Sequence, residues 1–152
     1  MLAWLGGALI VAGSTAFSQV LAFSGATREL LDVVTNLPLS SFGLLVGMLA
    51  VTFFLGMFIE EVSIMMITLP IYMPLVGSMD IDPIWFGILM LLVLEIALLT
   101  PPVGLLLYTV KGVTPEEITM GDIWRAAIPY VICGLGAVAI LLKFEGLVHV
   151  LT

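Results

Sequence analysis

Long apolar stretches alternate with short polar interruptions along this chain. Leu2 to Phe23 is long enough to cross a hydrocarbon core of about 30 Å at about 1.5 Å per helical residue, and it predicts a spanning helix over residues 1–24. Within it Thr15, Ser18 and Gln19 share a face, with Ser14 alongside, that is expected to look at protein or water. A different pattern follows over residues 25–37. There Leu30, Leu31, Val33, Val34 and Leu37 recur at helical spacing while Arg28, Glu29, Asp32 and Asn36 take the other side, as in a short amphipathic helix lying along the interface.

The next unit, residues 40–76, opens on a candidate cap at Ser40 or Ser41 and stays apolar from Phe42 to Ile59, with Gly43 and Gly47 as a small-residue pair for close packing. The polar tip "GMFIEEVS", Gly56 to Ser63, interrupts it, and a second apolar run follows in which Pro70 and Pro74 are expected to shorten any regular helix. Two half-length helices around a deep tip would form a re-entrant hairpin. Two full spans around a surface loop fit the length equally well, since eighteen residues reach about 27 Å.

Asp82 caps a helix that begins at Pro83, where a missing N–H costs nothing. This helix runs over residues 83–110 but is broken where Thr100, Pro101, Pro102 and Gly104 stop the hydrogen-bond ladder. The loop "KGVTPEEITMGD" holds a capping-box pattern at Thr114, Pro115 and Glu117. Asp122 is expected to cap the last span, residues 122–144, which contains Pro129. Trp4, Trp85 and Trp124 near predicted helix starts read as depth anchors at the lipid headgroups.

Composition turns these helices into membrane helices. The chain of 152 residues is 62% hydrophobic and 10% charged, with mean hydropathy +1.29. A soluble domain of this size could not hide so much apolar surface. Unalternated apolar runs exclude a barrel, leaving an all-α integral membrane domain. A net charge of -7 with four scattered Lys and Arg excludes nucleic acid. Lys111 and Arg125 on one side balance Arg28 and Lys143 on the other, so charge does not orient the chain. The single cysteine, Cys133, sits in an apolar run, and the single histidine, His149, sits beside the C-terminus. Together they exclude a disulfide framework, a metal cluster of Cys and His, and paired-histidine or nucleophile–base chemistry. No cofactor and no catalytic residue is expected. The methionines near the tip, Met57 among them, pack flexibly rather than bind metal.

The broken helix raises the functional question. Interrupting a helix in a bilayer frees backbone groups that cost several kcal/mol each when unpaired. One proline would make a kink; here two prolines, a glycine, Thr100 and Glu95 cluster together. A cation held by freed carbonyls at a half-helix C-terminus is the sharper reading, and a kink satisfied by a neighbouring helix is the plain one. Glu60 and Glu61 divide in the same way: at least one faces a water-filled cavity if the hairpin is re-entrant, and both are solvated if it is not.

"GMFIEEVSIMMITLPIYMP", "IDPIWFGILMLLVLEIALLTPPVGLLLY" and "RAAIPYV", in this order, resemble the C-terminal part of the large membrane subunit of tripartite ATP-independent periplasmic (TRAP) transporters. The likeness runs from about Ser14 to Leu142, and that subunit is much longer, so the chain looks like its last third, with Met1 an internal or truncated start. The resemblance implies the second inverted repeat of an elevator-type, sodium-coupled secondary transporter for a small organic acid, such as a C4-dicarboxylate or a sialic acid. It also implies a multi-pass place in the bacterial inner membrane. The implied partners are a small membrane subunit, a periplasmic substrate-binding protein, the first repeat of the large subunit and lipid. It favours the re-entrant reading, makes residues 25–36 the horizontal arm helix, and makes the loop from Lys111 to Asp122 cytoplasmic.

Carried over by motif, Gly56, Met57, Thr100, Pro101, Pro102 and Gly104 would line a sodium site, with backbone carbonyls and the Thr100 hydroxyl as ligands. Glu60, Ser63 and Glu95 would border the substrate cavity. The chain departs from the family at Val93, where Asn is frequent, and at Ala97, where Gly is frequent. The competing class is a non-transporting membrane scaffold or inactive fragment.

Overall fold

The computed structural model describes residues 40–144 and, before them, 12–13, 16, 19–20, 23–25 and 29. The expected helices over 1–24 and 25–37, apart from those isolated positions, lie outside the described residues, as do Trp4 and His149. From residue 40 the chain forms five helices, and no strand occurs among the described residues. They are α1 (Ser41–Gly56), α2 (Glu61–Ser78), α3 (Pro83–Leu98), α4 (Leu105–Val113) and α5 (Met120–Lys143).

Local chemistry sets most of the ends. Ser40 caps α1 by accepting from the Gly43 N–H at 3.2 Å. Asp82 caps α3 by accepting from the N–H groups of Ile84 at 2.7 Å and Trp85 at 2.9 Å, with Pro83 in the first turn. The start of α5 corrects the sequence reading. Thr119, not Asp122, is the cap, and Asp122 completes a capping box with it from the third helical position. Thr114 does not open a helix with Glu117; its hydroxyl closes α4 by donating to the Lys111 carbonyl at 3.0 Å.

Helix α2 is a second correction, because it runs unbroken through Pro70 and Pro74. Each proline removes one rung of the ladder, but packing holds the helix on course. Ile64, Thr68, Tyr72, Leu75 and Val76 are buried along its inner face. The Tyr72 hydroxyl donates to the Met48 carbonyl of α1 at 3.3 Å, and its ring meets Phe86 of α3 edge-on with centroids 6.0 Å apart.

Helix α3 is central. Trp85, Phe86, Leu89, Met90, Val93, Leu94, Ile96 and Ala97 are buried on it, against α1, α2 and α5. Trp85 is a third correction: it is 3% exposed, and its indole N–H donates to the Leu141 carbonyl of α5 at 3.0 Å, so it ties two helices together rather than floating at the headgroups. By length and composition α2 and α5 can each cross a membrane, while α1 and α3 are shorter apolar helices. Helix α5 turns Ile128, Tyr130, Ile132, Leu135 and Ile140 outward, the apolar exterior that lipid or further membrane protein would cover.

A candidate ion site between the α1–α2 turn and the α3–α4 break

The α1–α2 turn is built by one carboxylate and one carbonyl. At the end of α1 the N–H groups of Phe58 and Ile59 both turn back to the Leu55 carbonyl, at 3.0 and 2.9 Å. Glu60 then caps α2. Its oxygens accept from the N–H groups of Val62 at 2.9 Å and Ser63 at 3.1 Å, and from the Ser63 hydroxyl at 2.8 Å. A carboxylate at a helix N-terminus is favoured by the exposed amides there. Glu60 and Ser63 thus form one unit, with Glu60 exposed and Ser63 half-buried. Glu61 begins the first turn of α2.

The α3–α4 break is built from carbonyls. The ladder tightens at its end, where Leu99 donates to Ile96 at 3.1 Å and Thr100 to Ala97 at 3.0 Å. The Thr100 hydroxyl donates to the Ile96 carbonyl at 2.7 Å, which leaves its oxygen lone pairs available. Pro101 and Pro102, joined by a cis peptide, carry no N–H to continue the helix. Gly104 starts α4 in the left-handed region with φ 58°. A Cβ there would lie 3.3 Å from the carbonyl oxygens of both Leu98 and Thr100. Leu107 Cδ1 would stand at the same 3.3 Å, so glycine is what lets both carbonyls and this side chain pack against position 104.

Gly56 brings the two regions together. A Cβ on it would meet Ala97 Cβ at 2.6 Å and Leu94 Cδ2 at 3.4 Å, so the end of α1 rests directly on the last turn of α3 before the break. Gly56 and Gly104 are buried, Met57 and Thr100 are half-buried, and Pro101 and Pro102 are exposed. Glu95 is placed differently. It is the only charged residue of α3 and sits on that helix's exposed face with Leu91, turned away from the Leu94 and Ala97 face that meets Gly56. Val93 is buried in the apolar groove that Ile96, Leu135 and Val138 also line.

The arrangement offers oxygen atoms: the Leu98 and Thr100 carbonyls, which both approach Gly104 at a half-helix C-terminus, and the Thr100 hydroxyl. Such donors suit a hard cation. Among the described residues no group of three or more His, Cys, Asp or Glu could hold a metal ion. The sequence reading overlooked Ala97 as the seat for Gly56, and it overlooked Ile96 and Gly134, which also meet at 2.6 Å when a Cβ is built on the glycine. The glycines of "CGLG" were the only signal of the second contact, and they do not say which of them touches a neighbour.

Residues 8–147 match the family described as tripartite ATP-independent periplasmic transporter, DctM component. The chain belongs to this transporter family. It is 36% identical over 121 residues to the C4-dicarboxylate TRAP transporter large permease protein DctM of Pseudomonas aeruginosa, covering 80% of this chain and 28% of that protein. It is 31% identical over 125 residues to the sialic acid TRAP transporter large permease protein SiaM of Vibrio cholerae, covering 82% and 29%. The ectoine/5-hydroxyectoine TRAP transporter large permease protein UehC of Ruegeria pomeroyi is 26% identical over 137 residues, covering 90% and 31%. This chain therefore spans less than a third of the length of these relatives. No solved structure is significantly similar to it. The DctM family members named here are permeases rather than enzymes.

Proposed function

We propose that this segment is the second half of a sodium-coupled organic-acid permease, and that the α1–α2 turn and the α3–α4 break together hold one of its coupling ions. The observation that carries this reading is the seating of Gly56 on Ala97, which joins the turn to a helix end whose Leu98 and Thr100 carbonyls converge on Gly104. Carbonyls and the Thr100 hydroxyl bind sodium. Gly56, Met57, Pro101 and Pro102 shape its surroundings, and Glu60, Ser63 and Glu95 set the field of the substrate cavity.

In this reading α1 and α2 form a re-entrant hairpin rather than two full spans, which puts the Glu60 cap beside water within the membrane. Binding sodium draws the turn and the break together and completes the substrate cavity, so the moving body crosses the membrane loaded, as in an elevator. The first repeat of the large subunit supplies the other half of the cavity. A small membrane subunit and a periplasmic binding protein complete a system in the bacterial inner membrane. The substrate class is a small organic acid of the C4-dicarboxylate or sialic-acid kind, supported by the two relatives named for such substrates. The relative named for ectoine marks how far substrate can vary within the family.

The test is sodium-dependent protection of single cysteines. Glu60→Cys and Thr100→Cys are placed separately in a Cys133→Ser background of the full-length permease and labelled with a maleimide. Slower labelling at both positions in sodium, and not in potassium, is the expected result. A second reading, a non-transporting scaffold, draws on the Thr100 hydroxyl being already bonded to Ile96. Labelling indifferent to sodium, with Glu60→Cys reacting at full surface speed, would establish that reading instead.

A further inference from the structure

Helix α5 touches both halves of the interrupted helix. Toward α4, Ile123 and Ala127 are buried with Leu107, and Leu99, Met120 and Trp124 pack around them. Toward α3, Gly134 lies so close to Ile96 that a Cβ on it would sit 2.6 Å from Cγ1 and 2.9 Å from Cδ1. A third tie, the bond from the Trp85 indole to the Leu141 carbonyl, holds the same two helices together near the start of α3.

The Gly134 contact falls on a stiff part of the molecule. Ile96 is 4% exposed, and its Cγ1 branches from Cβ, so one χ1 well dominates in a helix and the side chain cannot swing aside freely. An added methyl at Gly134 therefore displaces a helix rather than a side-chain tip. Ile96 also carries the carbonyl that receives the Leu99 N–H and the Thr100 hydroxyl. Any shift of Ile96 passes to Thr100 and to the carbonyls gathered around Gly104.

We infer that α5 is a splint across the break and that Gly134 is its positioning residue, setting the end of α3 relative to the start of α4 and so the spacing of the oxygen donors. The consequence for sodium rests on the reading under Proposed function, whereas the positional role does not. Gly136 is the matched control: it lies on the same helix, yet nothing stands within 4 Å of a Cβ built there.

The experiment uses the full-length permease with Cys133→Ser and Val103→Cys, so that maleimide labelling at position 103 reports the geometry of the break. Thermal shift in NaCl against KCl, on the protein without the Val103 change, reports sodium. Gly134→Ala is expected to change the labelling rate by at least about threefold and to raise the sodium midpoint about fivefold, while Gly136→Ala moves neither. Adding Ile96→Ala to Gly134→Ala should restore both, because it removes Cγ1 and Cδ1 and leaves only Ile96 Cβ, at 3.9 Å. Unchanged labelling, an equal change with Gly136→Ala, or no rescue by Ile96→Ala would each overturn the splint. Should Gly134→Ala yield no folded permease, Ile96→Ala alone loosens the same contact, and an unaltered labelling rate there counts against the splint. A parent protein without any sodium response defeats the sodium reading, and labelling alone then decides the splint.

Discussion

Two proline pairs in this molecule have opposite outcomes. Pro70 and Pro74 lie inside α2, which continues as one helix, whereas Pro101 and Pro102 lie where α3 stops and α4 has yet to begin. The difference is spacing and company. Prolines four apart remove separate rungs and leave intact N–H groups between them, and the buried face from Ile64 to Val76 holds α2 in register. Adjacent prolines remove consecutive N–H groups, and the bias of a pre-proline residue away from helical geometry, which Leu69 and Met73 of α2 meet singly, falls on Thr100 and Pro101 in succession. Gly104, at φ 58°, then turns the chain in a way a side chain resists. A helix survives missing hydrogen bonds where packing is continuous, and it breaks where backbone sterics and a left-handed residue act together.

The comparison can be sharpened by mutation, read as thermal unfolding of the full-length permease. The largest effect is expected at Gly104→Val. The left-handed conformation costs a side chain about 1–2 kcal/mol, and its Cβ must also press on the carbonyls of Leu98 and Thr100. About 3 kcal/mol of destabilisation should follow and, under the proposed sodium coupling, loss of sodium-dependent uptake; a variant as stable as the parent would mean that the break is not what Gly104 maintains.

Gly56→Ala comes next. Its Cβ would stand 2.6 Å from Ala97 Cβ, an overpacking worth about 1–3 kcal/mol. Ala97→Gly should recover most of the loss in the double variant. Additive losses would show that the two residues do not share a contact.

Glu60→Ala removes the acceptor for two N–H groups and a hydroxyl at the start of α2, for a loss of about 1 kcal/mol. Glu60→Asp should retain part of the cap. Equal losses in the two would indicate that the carboxylate acts through something other than capping.

The smallest effect is expected from Pro70→Ala, which restores one N–H to a helix already in place. A change within about 0.5 kcal/mol is expected, whereas Pro101→Ala with Pro102→Ala should alter the proposed sodium response outright. A large effect at Pro70 would mean that α2 depends on its proline, and would dissolve the contrast between the pairs.

Much of the fold was legible in local chemistry. Ser40, Asp82 and Pro83 marked helix starts because capping needs only a side-chain oxygen and a few residues of context. The break at Thr100 to Gly104 was legible because proline and glycine act on their own backbone. Three features were not. The start of α5 shifted to Thr119 because two adjacent capping patterns compete, and the observed one satisfies two donors reciprocally. Trp85 proved to be an internal tie because its partner, the Leu141 carbonyl, is distant in sequence. Helix α2 runs through Pro70 and Pro74 because packing along its buried face from Ile64 to Val76 outweighs two missing rungs, and that face is complete only in the folded molecule.

For the candidate site, residue types alone specified where a helix must end, which glycines have special freedom and which oxygens are on offer, since these are properties of one short segment and its backbone. Packing decided that Gly56 rests on Ala97, that Gly134 rests on Ile96, and that α5 spans both sides of the break. Those contacts join segments far apart in the chain. Along helices as apolar as these nearly every side chain is an acceptable neighbour for every other, so hydrophobic pattern cannot choose among them. Shape does so, at the few glycines where two helices come within a methyl group of each other.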